Sequence, residues 1–89
     1  MGKKFTGTVD RVYDGDTFKT KKGHIVRLAN VNAPETHQSG GSTATRRLAY
    51  LIANKKVSVT QVGTHGNRKV GIVRVGRKNV NTQMRRWGY

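Results

Sequence analysis

Hydrophobic and polar residues alternate with a period of two near the start of the chain, break at short glycine-bearing turns, and change to helical spacing near the middle. The first stretch, KFTGTVDRVY, is rich in β-branched and aromatic residues and carries Phe5, Val9, Val12 and Tyr13, which predicts a strand. DGD at 14–16 contains an Asp-Gly pair, a strong hairpin signal. TFKTKK then predicts a second strand and KKGH a second tight turn. HIVRLANV predicts a third strand, with Val26 and Leu28 on one face and Ile25 and Arg27 on the other. NAPETHQSGG, which holds Pro34, the only proline, has the composition of a connecting loop. From Ser42 the apolar residues Ala44, Leu48, Leu51 and Ile52 fall at i, i+4, i+7 and i+8. That spacing predicts a helix, and Ser42 or Thr43 is placed to supply its N-cap oxygen. KKVSVTQV returns to strand alternation through Val57, Val59 and Val62. GTHGNR predicts a loop, KVGIVRV a fifth strand and GRK a turn. VNTQMRRWGY predicts a short closing helix with Val80 and Met84 inward.

This order of three strands, a helix, two strands and a short helix predicts a mainly β (α+β) fold. Five short antiparallel strands with a helix between the third and fourth suggest a small Greek-key barrel of the OB type, an architecture that binds oligonucleotides on its strand face. The 89 residues are the length of one domain, spanning 1–89. A chain this short buries a modest core; Phe18 is expected in it, and Trp87 and Tyr89 are expected to pack. Tyr13 and Tyr50 are expected to pack rather than to stack on bases. His24, His37 and His65 show no metal-ligand spacing and are expected at the surface.

Charge sharpens the picture. Eighteen Lys and Arg face only four Asp and Glu, a formal net charge of +14. Such a balance points to a polyanionic partner, of which nucleic acid is the commonest. No long basic amphipathic helix is evident for a membrane surface, and no run approaches the roughly 20 apolar residues of a membrane span. There is no cysteine, which excludes disulfides and thiolate zinc sites and fits a reducing compartment. The opening MGKKFTGTVD lacks the apolar run of a secretory signal. A cytoplasmic location is therefore expected.

Against that background the placing of the acids is informative. Two of the four, Asp14 and Asp16, flank one glycine; the others are Asp10 and Glu35. A turn alone explains Asp-Gly-Asp, since both residue types are common in turns. The motif does not stand alone, however. DGDTF, VRLANVNAPE, the A…L..LI helix, NRKVGIV and VNTQMRRWGY together resemble the staphylococcal-nuclease-like (thermonuclease) family of calcium-dependent phosphodiesterases over nearly the whole chain. The resemblance implies a metal-dependent endonuclease acting on DNA or RNA. It implies that Asp16 ligates Ca2+, that Asp14 supports the site, and that Ala33 offers its backbone carbonyl to the metal. It further implies that Glu35 positions or activates the attacking water. Arg27 and Arg68 would contact the scissile phosphate from two sides, with Lys69 beside them on the nucleic acid.

The chemistry of such a reaction suits these residue types. Charge builds on phosphoryl oxygens and must be compensated. Calcium takes hard oxygen ligands, and guanidinium forks match phosphate bidentately where an ammonium does not. Single strands are the favoured partner, since OB grooves track one backbone; duplex is also admitted.

Two positions depart from the family pattern. Asn32 stands where the family usually has a second calcium-ligating aspartate, so its amide oxygen would bring no charge and a weaker site. HGNR replaces the usual tyrosine-glycine-arginine run ahead of Arg68. The family also commonly continues into a C-terminal helix that covers the barrel, whereas the sequence here stops at Tyr89. Apolar surface near Met84 and Trp87 is accordingly expected to support weak self-association. The competing reading is a non-catalytic OB-fold nucleic-acid-binding module with a degenerate metal site.

Overall fold

A computed structural model of the chain describes residues 3–89. Its strands are β1 (Lys3–Asp14), β2 (Thr17–Thr20), β3 (Ile25–Leu28), β4 (Lys56–His65), β5 (Arg68–Val75) and the two-residue β6 (Lys78–Asn79). Two helices, α1 (Gly41–Ile52) and α2 (Val80–Arg86), follow β3 and β6. β1 pairs with both β2 and β4, β2 with β3, and β4 with β5, all antiparallel. A parallel pairing of β3 with β5, through Val26–Lys69, Arg27–Val70 and Leu28–Gly71, closes the sheet into a five-stranded barrel of the OB type.

Four expectations are corrected here. The strands are neither all short nor all antiparallel: β1 is 12 residues long, and the closing pair is parallel. Long-range closure leaves no trace in local periodicity. The segment GTHGNR is mostly strand, since His65 pairs with Arg68 and Thr64 with Lys69. Its side chains face solvent, so no apolar alternation marks it. Only Gly66 and Asn67 turn, with Gly66 at φ 62°. Val62 does not continue the buried row of Val57 and Val59 but is 55% exposed, because the β4 register slips between Gln61 and Gly63 and a bulge turns the side chain outward.

The start of α1 is also different. Its N-cap is Gly40 at φ 77°, with no side-chain cap, and Ser42 and Thr43 lie inside the first turn. The cause is packing: a Cβ on Gly41 would run into the Glu35 carbonyl group. A glycine pair therefore lets the preceding loop lie against the helix end. The buried face of α1 carries Ala44, Leu48, Leu51 and Ile52 as its spacing predicts. Those side chains plug the barrel together with Val9, Phe18, Val26, Leu28, Val57, Val59 and Val73.

Helix α2 is capped by Asn79, whose side chain accepts from Thr82 N–H at 3.0 Å. Val80 and Met84 are fully buried. Trp87 and Tyr89 pack on the core edge, with the Arg47 guanidinium 5.6 Å from the Trp87 ring. The expected bare surface at Met84 is thus covered within the chain. A buried polar residue, Asn81, ties α2 to the barrel. Its Oδ1 accepts from Val73 N–H at 2.9 Å, and its Nδ2 donates to Ala29 O and Gly71 O at 3.0 Å each. No helix among the described residues is long and apolar enough to cross a membrane.

Candidate functional site

The site is organised by the β1–β2 hairpin, in which Asp14 pairs with Thr17 and Gly15-Asp16 form the turn. Gly15 is buried at a close approach, where a Cβ would lie 2.7 Å from those of Ala33 and Ala44. Without a side chain there, the acid turn sits directly against the Ala33 loop and the first turn of α1. Asp16 is consequently only 7% exposed, and a buried carboxylate must be satisfied. It accepts from Thr17 Oγ1 at 2.8 Å and from Ala33 N–H at 3.1 Å. Its Oδ2 lies 3.6 Å from Arg27 Nη2.

Arg27 reaches this position because β3 pairs with β2 through Thr17–Arg27. Its Nη1 donates to Val31 O at 3.0 Å and to Leu28 O at 3.3 Å. The guanidinium therefore braces the loop after β3 while its other nitrogen faces Asp16. Asp14 lies beside Asp16, and its Oδ1 accepts from Asp16 N–H at 3.3 Å. Burial, together with the neighbouring Asp16 carboxylate, pushes the Asp14 carboxyl up to about 6 from an ordinary 3.8. Two adjacent carboxylates resist joint ionisation unless a cation joins them.

A cavity of about 290 Å³ opens beside the pair, lined by Tyr13, Asp14, Thr17, Ile25, Asn67 and Arg68. Arg68 sits at the start of β5 and faces Asp14 across it, a juxtaposition made by the parallel β3–β5 closure. The structure thus brings Asp14 and Arg68 to one cleft and sets Asp16, joined to the Ala33 N–H and Arg27, directly behind Asp14.

It does not gather every expected residue equally. Glu35 is exposed, and its carboxylate lies 3.4 Å from His37 Nε2; among the described residues it has no hydrogen bond or ion pair to Asp16 or Arg27. Asn32 is exposed, with its backbone N–H donating to Tyr89 O at 3.0 Å. Ala33 meets Asp16 through its N–H. Lys69 Nζ lies 2.6 Å from His24 Nδ1 and 5.4 Å from the Phe5 ring centre. An ammonium has no acceptor, so the imidazole accepts at Nδ1. His24 is therefore half-buried structure rather than a surface residue.

Several residues of the cleft carry no signal in the sequence on their own. Tyr13 and Ile25 line it through the local β1–β2–β3 pairings, and Asn67 only because the barrel closes. Thr17 is the exception: its place directly after the Asp-Gly-Asp turn marks it as a local partner for a turn carboxylate.

The donor set suits a hard divalent cation. It offers two carboxylates that repel each other, plus the Thr17 hydroxyl oxygen. Among the described residues no cluster of three or more His, Cys, Asp or Glu is found.

The family model described as Staphylococcal nuclease homologue matches residues 25–89. A protein named Micrococcal nuclease from Shigella flexneri is 42% identical over 74 residues, covering 78% of this chain and 42% of its own length. An Uncharacterized endonuclease from Escherichia coli O157:H7 is 42% identical over 57 residues, covering 61% of this chain and 37% of its own. Another Uncharacterized endonuclease, from Haemophilus influenzae, is 32% identical over 90 residues, covering 96% of this chain and 51% of its own. The chain therefore spans about half the length, or less, of these curated relatives. With a family match over most of its length and that barrel beneath it, this chain belongs to the staphylococcal nuclease homologue family.

Proposed function

We propose that this chain is a divalent-metal-dependent nuclease that hydrolyses phosphodiester bonds of DNA or RNA, with Ca2+ as the metal and single strands as the favoured substrate. The observation that carries this reading is the acid pair itself. In a chain of net charge +14, Asp14 and Asp16 are packed together, with Arg27 beside Asp16 and Arg68 lining the same cavity as Asp14. That is a cation site inside a phosphate-attracting field.

On this reading Asp16 and Asp14 hold the ion, with the Asn32 amide and the Ala33 carbonyl as further oxygen donors. When bound, the ion supplies charge neutralisation at the phosphoryl oxygens. Arg68 binds a phosphate entering the cavity. Arg27, already anchored on Val31 O and Leu28 O, is held in place to stabilise the developing charge without reorganising. Glu35 acts on the attacking water after its side chain turns away from His37. The backbone there is held by Gln38 and Gly41, so the movement is a rotation of the exposed side chain alone.

Two observations favour a second reading, a nucleic-acid-binding module without catalysis: among the described residues Glu35 pairs with His37 rather than with the site, and Asn32 contributes no charge. Incubation with single-stranded DNA, duplex DNA and RNA, with calcium or chelator, separates the two. Cleavage that requires metal supports the nuclease; binding without cleavage at any metal concentration supports the module. The role of Asn32 is tested by Asn32→Asp, followed by calcium titration calorimetry. A near-isosteric added charge should tighten calcium binding on the order of tenfold. Unchanged affinity removes Asn32 from the metal site.

A further inference from the structure

The end of the barrel away from the acid pair carries a second concentration of charge. Helix α1 starts against Gly15, through Ala44, and runs for 12 residues, about 18 Å at the usual rise. Strand β1 gives a second ruler. Lys56 pairs with Thr8, and the strand from Thr8 to Asp14 extends for about 20 Å at most. Both distances are a large part of a molecule 34 × 26 × 23 Å in extent.

At that far end Lys55, Lys56, Arg74, Arg77 and Lys78 are all exposed. They come from the α1–β4 connection, the start of β4, β5, the β5–β6 turn and β6. One hollow of about 280 Å³ is lined by Tyr50, Leu51, Lys55, Val75 and Lys78. A second, of about 260 Å³, is lined by Thr6, Lys56, Val57, Ser58, Arg74 and Gly76. Neither has an acidic residue in its lining. Of the four acids, Asp14 and Asp16 are at the β1–β2 turn, Asp10 lies 3.9 Å from Lys19, and Glu35 is beside His37.

Tyr50 completes the arrangement. Leu48, Leu51 and Ile52 take the buried face of α1, which leaves Thr43, Arg46 and Tyr50 along the outer face at i, i+3 and i+7. Tyr50 is 77% exposed, so core packing does not account for it. A bare ring beside two ammonium groups has the chemistry of a nucleotide platform: bases stack on aromatic faces, and cations take the backbone. Arg46 lies on the same outer face between the cleft end and Tyr50. We propose that Tyr50, Lys55 and Lys78 form a second nucleotide subsite, which holds a base and its flanking phosphates on a single strand long enough to reach it from the acid cleft.

This inference rests on the reading of the chain as a protein that acts on nucleic-acid strands. Fluorescence anisotropy in chelator tests it, with single strands of about 4 and about 16 nucleotides, the span of OB-fold site sizes. Tyr50→Ala should weaken the longer strand about 5- to 150-fold, the usual effect of losing one stacked base, and leave the shorter unchanged. Tyr50→Phe should retain the parent affinity. Replacing Lys55 and Lys78 by Gln should weaken the longer strand and flatten its salt dependence. Unchanged affinity of the longer strand for both Tyr50→Ala and the lysine variant overturns the subsite, as does an equal loss for both lengths. A parent protein that cleaves no nucleic acid with calcium sinks the nuclease reading only, because the binding arm contains no metal and decides the subsite by itself.

Discussion

At the scale of the residue, the cleft is governed by the cost of placing two carboxylates together. Asp14 titrates at about 6 instead of 3.8 because it is partly buried beside Asp16. Between those values the folded state holds a proton that the unfolded chain has released, so stability falls as pH rises across that window. Asn at position 14 removes the effect. Thermal melts in chelator should show Asp14→Asn gaining on the parent above pH 6, with the gain vanishing below about pH 4. A gain equal at both pH values would mean that Asp14 does not titrate in that window.

Arg27 and Glu35 should separate in a different way. Arg27 braces Val31 O and faces Asp16, which is nearly buried, so Arg27→Ala should cost stability, about 1–3 kcal/mol for the groups left unpaired. Exposed Glu35 should tolerate Gln with no change in melting temperature. On the proposed mechanism both substitutions should lower cleavage by about 10²–10³. Activity loss for Glu35→Gln at full stability would place its carboxylate in the chemistry; parent-level cleavage by that variant would remove it.

At the scale of the element, the attachment of α2 depends on one polar side chain. Asn81 is 1% exposed and holds Val73 N–H, Gly71 O and Ala29 O at once. Gly71 lies on β5 and pairs with Leu28 of β3, while Ala29 follows β3 directly. Asn81 therefore fastens the helix across the same parallel seam that brings Arg68 toward Asp14. Asn81→Ala should lower stability by about 1–3 kcal/mol through unsatisfied buried groups. In a domain of this size each kcal/mol shifts Tm by about 4–8 °C, which calorimetry resolves. Asn81→Asp should be no better, since a carboxylate cannot donate to the two carbonyls.

At the scale of the whole molecule, the excess of positive charge has two opposed consequences. It draws in a polyanion, and it strains the compact state through self-repulsion. Salt screens both. Raising the salt concentration should therefore weaken single-strand binding steeply, with log affinity linear in log salt, while raising or preserving Tm. Parallel anisotropy and melting series on one salt axis test this. An affinity independent of salt would contradict an electrostatic footprint.

Local pattern and chemistry alone determined much of this protein. The alternation through Val57 and Val59, the helical spacing of Ala44, Leu48, Leu51 and Ile52, the turn at Gly15-Asp16 and the pairing of two scarce acids were all legible, because each depends on residues close in sequence. The barrel's type followed from element order. The β3–β5 seam, which sets Arg68 opposite Asp14, was decided only in three dimensions, because contacts between distant strands leave no period in the chain. The same holds for the His24–Lys69 contact and for the burial of Asn81, a polar residue whose three partners lie on other elements. The start of α1 at Gly40 and Gly41 rather than at a Ser or Thr cap was also a tertiary decision. There a backbone approaching from outside the helix left no room for a side chain, and that steric demand outweighed the local preference.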